Sequence, residues 1–480
     1  MTQTHTAPPH PRVRDHYAPT LKLGWPIIVG QLGIILVAFV DNIMISHHSL
    51  SELAGASFVN NFLNLAIIFG IGISYGLTPL VAQEHHLGHK SALAAWFYHS
   101  LFLNGLFALA LGLVMFLLQY RLSWFNVEAD LIPLLLPYYR IQIYGFVTTM
   151  FFGAVKQLMD GMHHTATPMI LTVVGNLLNI FLNWLLIYGR WGFPELGLTG
   201  AGIATLLSRI FMLAAGLLIL FTSATYRDLH LLQTLRQKWH ISAKRLRSLL
   251  RIGLPVATQM GLEATSFSIA VIFVARMGQA SLATFQIVNT ITTLGFLVYY
   301  GFGSATTIRV SVLRTQGDLP GARRAATASL RLSFLCGFAA MLFVFLFDRQ
   351  LAALFNADDQ ITRMVQWGLL GIYLFQAGDA LQVIYSNALR GLARVRPLAP
   401  MAFICHILIA PTLAYLFPFV AAPALYGWIT AGSPVGFTPH NTPQIWQHTA
   451  LWLAFPFSLT TLGLLLRHYF NRYTRPQNRI

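Results

Sequence analysis

Charge is what this chain of 480 residues has least of: Asp, Glu, Lys and Arg together make up only 10% of it. A soluble domain carries roughly 25%, so a water-exposed surface of the matching size is excluded. Cysteine is almost as scarce. Cys336 and Cys405 are the two that occur, both inside apolar stretches, and a disulfide framework is excluded with them. The polar first twenty residues, with Arg12 and Arg14, are followed by no small-residue cleavage pattern. They read as a cytoplasmic tail ahead of an uncleaved first span. The formal charge of +16 comes with no recognisable reading module, so no nucleic-acid partner is expected.

What is abundant is apolar sequence, 56% of the chain, arranged in runs of about 20 residues that each suffice to cross a hydrocarbon core. Twelve spans are expected: 23–45, 54–81, 92–119, 133–156, 168–189, 198–222, 248–275, 281–308, 325–347, 361–387, 398–417 and 449–466. With the N-terminus inside, 24 Lys and Arg are counted to the inner side and six to the outer, which leaves Arg209, within a span. That bias sets both termini in the cytoplasm of a bacterial inner membrane. The expected divisions are a tail 1–22, a six-helix bundle 23–222, a basic linker 223–247, a second bundle 248–466 and a tail 467–480.

The two halves repeat. A shift of 229 residues lays Gly24-x-Pro26 on Gly253-x-Pro255, and pairs Asn60 with Asn289, Gly72 with Gly301, Thr78 with Thr307 and Gly88 with Gly317. After a one-residue slip, Asp160-Gly161 faces Arg390-Gly391. Six spans per half is an even number, so the repeats are parallel, as in transporters with a central cavity between two bundles. The fold expected is an all-α polytopic membrane protein of twelve transmembrane helices in two parallel six-helix repeats around a central cavity.

Three of the fifteen acids lie within spans: Asp41, Glu263 and Asp379. Intramembrane carboxylates cost about 2.5–3.5 kcal/mol on insertion scales and default to function. Glu263 lies 12 residues beyond Arg251 and Asp379 11 residues before Arg390, so both sit roughly 17–18 Å from the inner side at helical rise. Two acids at one depth suit a sodium ion or a shared proton. Further candidate cavity residues share faces with them or form stripes: Gln259, Gln376 and Gln382, then Asn176, Asn179 and Asn183, then Gln286 and Asn289. Such stripes also serve as interhelical hydrogen-bond glue, and Arg209 reads equally as a snorkelling or structural residue. The pairs His47-His48, His85-His86 and His163-His164 all fall at span ends or breaks, so no metal site is expected there. No nucleophile–base constellation marks an enzyme. Asp358-Asp359 has no second acidic cluster to join it. A flippase for lipid-linked precursors shares the general architecture but calls for cationic cavity residues.

Several segments together resemble the multidrug and toxic compound extrusion (MATE) family, in particular its NorM-type branch. They are FVDNIMI around Asp41, PLVAQ at 79–83, GNLLNIFLNWLLIYG at 175–189, PELGLTGAGIAT at 194–205, GLPVATQMGLEATSF around Glu263, and FQAGDALQ with ALRG around Asp379. The resemblance runs roughly from residue 20 to 470. It implies a monomeric antiporter that exports small organic, often cationic compounds or drugs by alternating access, without cofactor, coupled to Na+ or H+ and surrounded by membrane lipid. It implies a cation site at Glu263 and Asp379, and proton or substrate handling at Asp41. The sequence departs from the family pattern at His86, where relatives commonly carry glycine. It departs again at Phe375, where some sodium-coupled relatives carry tyrosine, although Tyr373 is close.

Overall fold

The computed structural model describes residues 12–125, 131–236, 240–347, 359–429 and 443–475. Asp358, Arg349 and Lys238, with parts of both expected tails and of the linker, lie outside the described residues. Twelve long helices run through the described residues. They are α1 Tyr17–His48, α2 Leu50–Ser74 (prolonged after a short break by Leu77–His86), α3 Lys90–Leu118, α4 Ile132–Gly161, α5 Ala166–Ile187, α6 Gly197–Thr222, α7 Ala243–Arg276, α8 Gln279–Thr315, α9 Leu319–Leu346, α10 Asp359–Gly391, then α11, opening with Leu398–Ala402 and closing with Ala422–Ile429, and α12 Gln444–Tyr473. Each corresponds to one expected span. Helix α7 starts earlier than expected, inside the basic stretch, because Ala243-Lys244-Arg245-Leu246 are all good helix formers. Two short helices, Ala224–Arg227 and Leu231–Arg236, occupy the linker before it.

Local chemistry explains the helix ends. Ser49 caps α2 by accepting from the Glu52 amide, and Asp318 caps α9 by accepting from Gly321 N at 2.7 Å. Gly88 and Gly317, repeat mates, both take left-handed backbone, at φ 74° and 77°. Beyond them the His89 amide reaches back to Glu84 O at 3.0 Å and the Asp318 amide to Leu313 O at 2.9 Å. This is the same Schellman closure in both halves. Helix α11 widens into π-helix at Phe403–Ile409 and Phe417–Ala421. Each widened stretch ends two residues before a proline, Pro411 or Pro423, whose ring cannot fit against the carbonyl four residues back.

Ten of the twelve helices are long and apolar enough to cross a membrane by length and composition alone. The two that are not, α4 and α10, are repeat mates. Both bury polar groups among protein rather than lipid: Gln142, Gln157 and Asp160 in one, Gln376, Asp379 and Gln382 in the other.

The chain divides into two compact units, one of residues 26–265 with 398–403, the other of residues 1–25, 266–397 and 404–480. The first is centred on Leu77, Phe97, Leu158 and Met159, with a second cluster around Val59, Tyr138 and Tyr139. The core of the other joins Phe285, Val288, Trp452 and Phe455. Within each unit the repeat recurs contact for contact. A Cβ on Gly253 would press on Ile73, and one on its mate Gly24 would press on Phe302, the mate of Ile73. Thr78 donates to the Gln157 side chain at 2.5 Å, and Thr307 to that of Asn387 at 3.0 Å. Gly161 lies against Val81 and Thr78 O, and Gly391 against Val310 and Thr307 O.

Candidate functional site

In the unit of residues 26–265, Asp41 stands half-buried on α1, and its Oδ1 accepts from Asn183 Nδ2 at 2.5 Å. Asn183 is fully buried on α5 and also donates to Asn179 Oδ1 at 3.2 Å. Asn179 donates to Thr205 Oγ1 on α6 at 3.4 Å. The four-residue spacing of the α5 asparagines stacks them on one helix face, and that face meets α1 on one side and α6 on the other. Tyr188 OH donates to Met44 O at 2.8 Å and ties the end of α5 to α1. Asn183 Oδ1 and Asn176 Nδ2 are buried with no hydrogen-bond partner. The carboxylate therefore heads a chain of amide and hydroxyl side chains in which one buried amide oxygen, Asn183 Oδ1, is left without a partner. No cluster of three or more His, Cys, Asp or Glu able to hold a metal ion occurs among the described residues.

Helix α4 adds Tyr138 and Gln142, which sequence reasoning missed, and Gln142 gives Arg209 on α6 a structural partner. Arg209 donates from Nη1 to Gln142 Oε1 at 3.2 Å, and Tyr138 OH donates to Asn60 Oδ1 at 3.0 Å. The available signal was Tyr138 and Gln142 at i,i+4 on α4. Glu263 is half-buried on α7 in this unit, one turn beyond Gln259, whose side chain is buried.

In the other unit, Asp379 is 3% exposed on α10, with Gln376 and Gln382 equally deep. Gln376 donates to Thr292 O on α8 at 3.2 Å. Gly295 leaves the room for it, since a Cβ there would collide with the Gln376 amide. Tyr299, buried on α8, lies within electrostatic reach of Asp379 and was not anticipated. Phe375 packs edge-on against Phe267, Trp452 and Phe455 at centroid distances of 6.1–6.3 Å. The family's alternative tyrosine position is thus part of an aromatic core in this chain. The structure places Glu263 and Asp379 in different units.

The polar stripes of α2 and α8 are repeat mates: Ser57 with Gln286, Asn60 with Asn289, Asn61 with Thr290, Asn64 with Thr293. Ser57, Asn60, Asn61, Asn64, Gln286 and Thr290 are exposed, and Asn289 and Thr293 half-buried. A polar face cannot be left to hydrocarbon in mid-span, so each unit presents a hydrated helix face.

Twelve helices in two like halves, with buried and half-buried carboxylates and wetted helix faces, define a polytopic membrane transporter. The MatE family model matches residues 26–185 and again 255–416, one copy per half, and the chain belongs to that family. It is 27% identical to the multidrug resistance protein NorM of Vibrio cholerae over 455 residues, covering 95% of each chain. It is also 27% identical to the multidrug resistance protein MdtK of Pectobacterium atrosepticum, covering 82% of this chain and 86% of that one. Among solved structures, the fold matches an outward-facing multidrug resistance MATE family transporter of the MOP superfamily with a TM-score of 0.82 at 19% identity, covering 96% of each chain. A MOP superfamily transporter from Pyrococcus furiosus, described by its reversed binding-pocket polarity, matches at 0.81 and 19%, again over 96% of each.

Proposed function

We propose that this chain exports small organic, mostly cationic compounds from the bacterial cytoplasm in exchange for Na+ or H+, with both termini inside. The observation that carries this reading is the pairing of buried and half-buried carboxylates with hydrated helix faces in a chain of this family. Asp379 and Glu263, each within its own unit, are the acids assigned to the coupling ion, and Asp41, held by Asn183, handles proton or cargo. Differential affinity of the ion for two conformations supplies the drive, because a ligand that binds both equally shifts nothing. The NorM and MdtK relatives carry multidrug resistance in their names, which supports several cargoes rather than one.

Ethidium efflux from a pump-deficient strain, with sodium and pH stepped separately, tests the reading. Efflux is expected to follow one of the two gradients and to fall at least tenfold in Asp379→Asn and Glu263→Gln at equal expression. Gradient-driven efflux retained in both variants overturns the assignment of these acids.

A further inference from the structure

The positive charge of Arg209 has no role in the exchange outlined above, yet the fold goes to some length to place it. The guanidinium lies inside the unit of residues 26–265 and donates to buried Gln142. One turn before Gln142 on the same helix face stands Tyr138, whose hydroxyl donates to Asn60 on the hydrated face of α2. Room for the guanidinium comes from Gly145, where a Cβ would stand 2.6 Å from Arg209 Nη1. One turn earlier on α6, Thr205 ends the chain Asp41–Asn183–Asn179–Thr205. The chain that starts at Asp41 thus ends one turn from Arg209 on α6, and α4 braces the arginine. Arg209 follows Thr205 by one turn on the same helix face. An arginine stays charged in this setting, and a lone cation inside a membrane protein is normally matched by an anion. Asp41 is the carboxylate at the head of the hydrogen-bonded chain that ends beside Arg209.

We propose that Arg209 is a selectivity residue: its fixed guanidinium is the resident counter-charge of Asp41 and limits how much positive charge a transported compound can bring to that carboxylate. This rests on the reading that Asp41 handles cargo or protons. With Arg209 in place, Asp41 and its surroundings are close to neutral. A monocation is admitted against one like charge, and a dication against the same charge felt twice. Without Arg209 the carboxylate stands alone and prefers cations more strongly, the more so the higher their charge.

The test is equilibrium binding of ethidium, a monocation, and propidium, a dication on the same ring system, to the purified full chain at pH 8. Arg209→Gln is expected to tighten ethidium about tenfold and propidium about a hundredfold, the order set by removing one like charge from a partly buried site. Arg209→Lys keeps the charge and is expected to stay near wild type. Gln142→Glu keeps the guanidinium but neutralises it, and is expected to act in the direction of Arg209→Gln even if the latter folds poorly. In an Asp41→Asn background, Arg209→Gln should no longer change the propidium-to-ethidium ratio, since coupled residues fail to add. A wild-type ratio in both Arg209→Gln and Gln142→Glu overturns the proposal while leaving Asp41 its role. An Asp41→Asn variant that binds and exports ethidium like wild type removes the role of Asp41 itself, and the proposal falls with it.

Discussion

His164 shows how a single residue outside the spans ties elements together. It sits half-buried between α4 and α5, its Nδ1 3.2 Å from the hydroxyl of Tyr226 on the short linker helix, with the His85 ring 6.5 Å away. Burial lowers its pKa from the ordinary imidazole value, so the folded protein holds it neutral where an unfolded chain would take a proton. The unfolded state then binds more protons below about pH 6.5, and stability present above that pH is lost as the pH falls. The melting temperature of the purified protein is expected to drop between pH 7.5 and 5.5. His164→Asn should shrink that drop without abolishing it, because His85 and His163 lie in the same cluster. An unchanged drop would mean that His164 is not kept neutral by the fold. Pairings of this kind were hidden in the sequence. The stripe Asn176, Asn179, Asn183 could be read from its spacing, but which helix it faces depends on packing. The Arg209–Gln142 contact joins residues 67 apart in the chain, with no periodicity to announce it.

At the scale of helices, glycine sets how closely two of them approach. Gly72 on α2 faces the backbone of Ala257 on α7, and an added Cβ would stand 2.8 Å from both the nitrogen and the Cβ of Ala257. Backbone cannot swing aside as a flexible side chain can, so Gly72→Ala must push the two helices apart. The expected cost is about 1–3 kcal/mol, as for other overpacked interiors. Gly261, also on α7, has nothing within 4 Å of its would-be Cβ. Gly261→Ala is therefore expected to leave stability unchanged or raise it slightly through helix propensity. Melting curves of the two variants side by side separate the effects, and equal curves would remove the close approach as their cause. All twelve helices were legible as apolar runs, including α4 and α10, because about 20 residues of moderate hydropathy survive a few polar insertions. The π-helical widening of α11 was not, although Pro411 and Pro423 stood in plain view. A proline signals a broken hydrogen bond, not whether the helix answers by kinking or by widening.

For the molecule as a whole, the repeat copies the scaffold and leaves out the chemistry. Glycine closures, the Thr78–Gln157 and Thr307–Asn387 hydrogen bonds and the polar stripes of α2 and α8 all recur, at an offset of 229 that becomes 230 after the one-residue slip. The acids do not: Ala270 stands at the mate of Asp41, Ile34 at that of Glu263 and Thr149 at that of Asp379. Paired residues of the scaffold should then behave alike in stability and leave coupling alone. Thr78→Val and Thr307→Val each remove the donor of a buried side-chain hydrogen bond and strand its acceptor, at an expected cost of about 1–3 kcal/mol apiece. The two threonines belong to different units and share no hydrogen-bond partner, so the double variant should lose close to the sum. In the ethidium assay, both single variants should keep the ion dependence of wild type, corrected for the amount of folded protein. If either changed which gradient drives efflux, that threonine would belong to the coupling machinery, and the division between a duplicated scaffold and unduplicated chemistry would fail at that position.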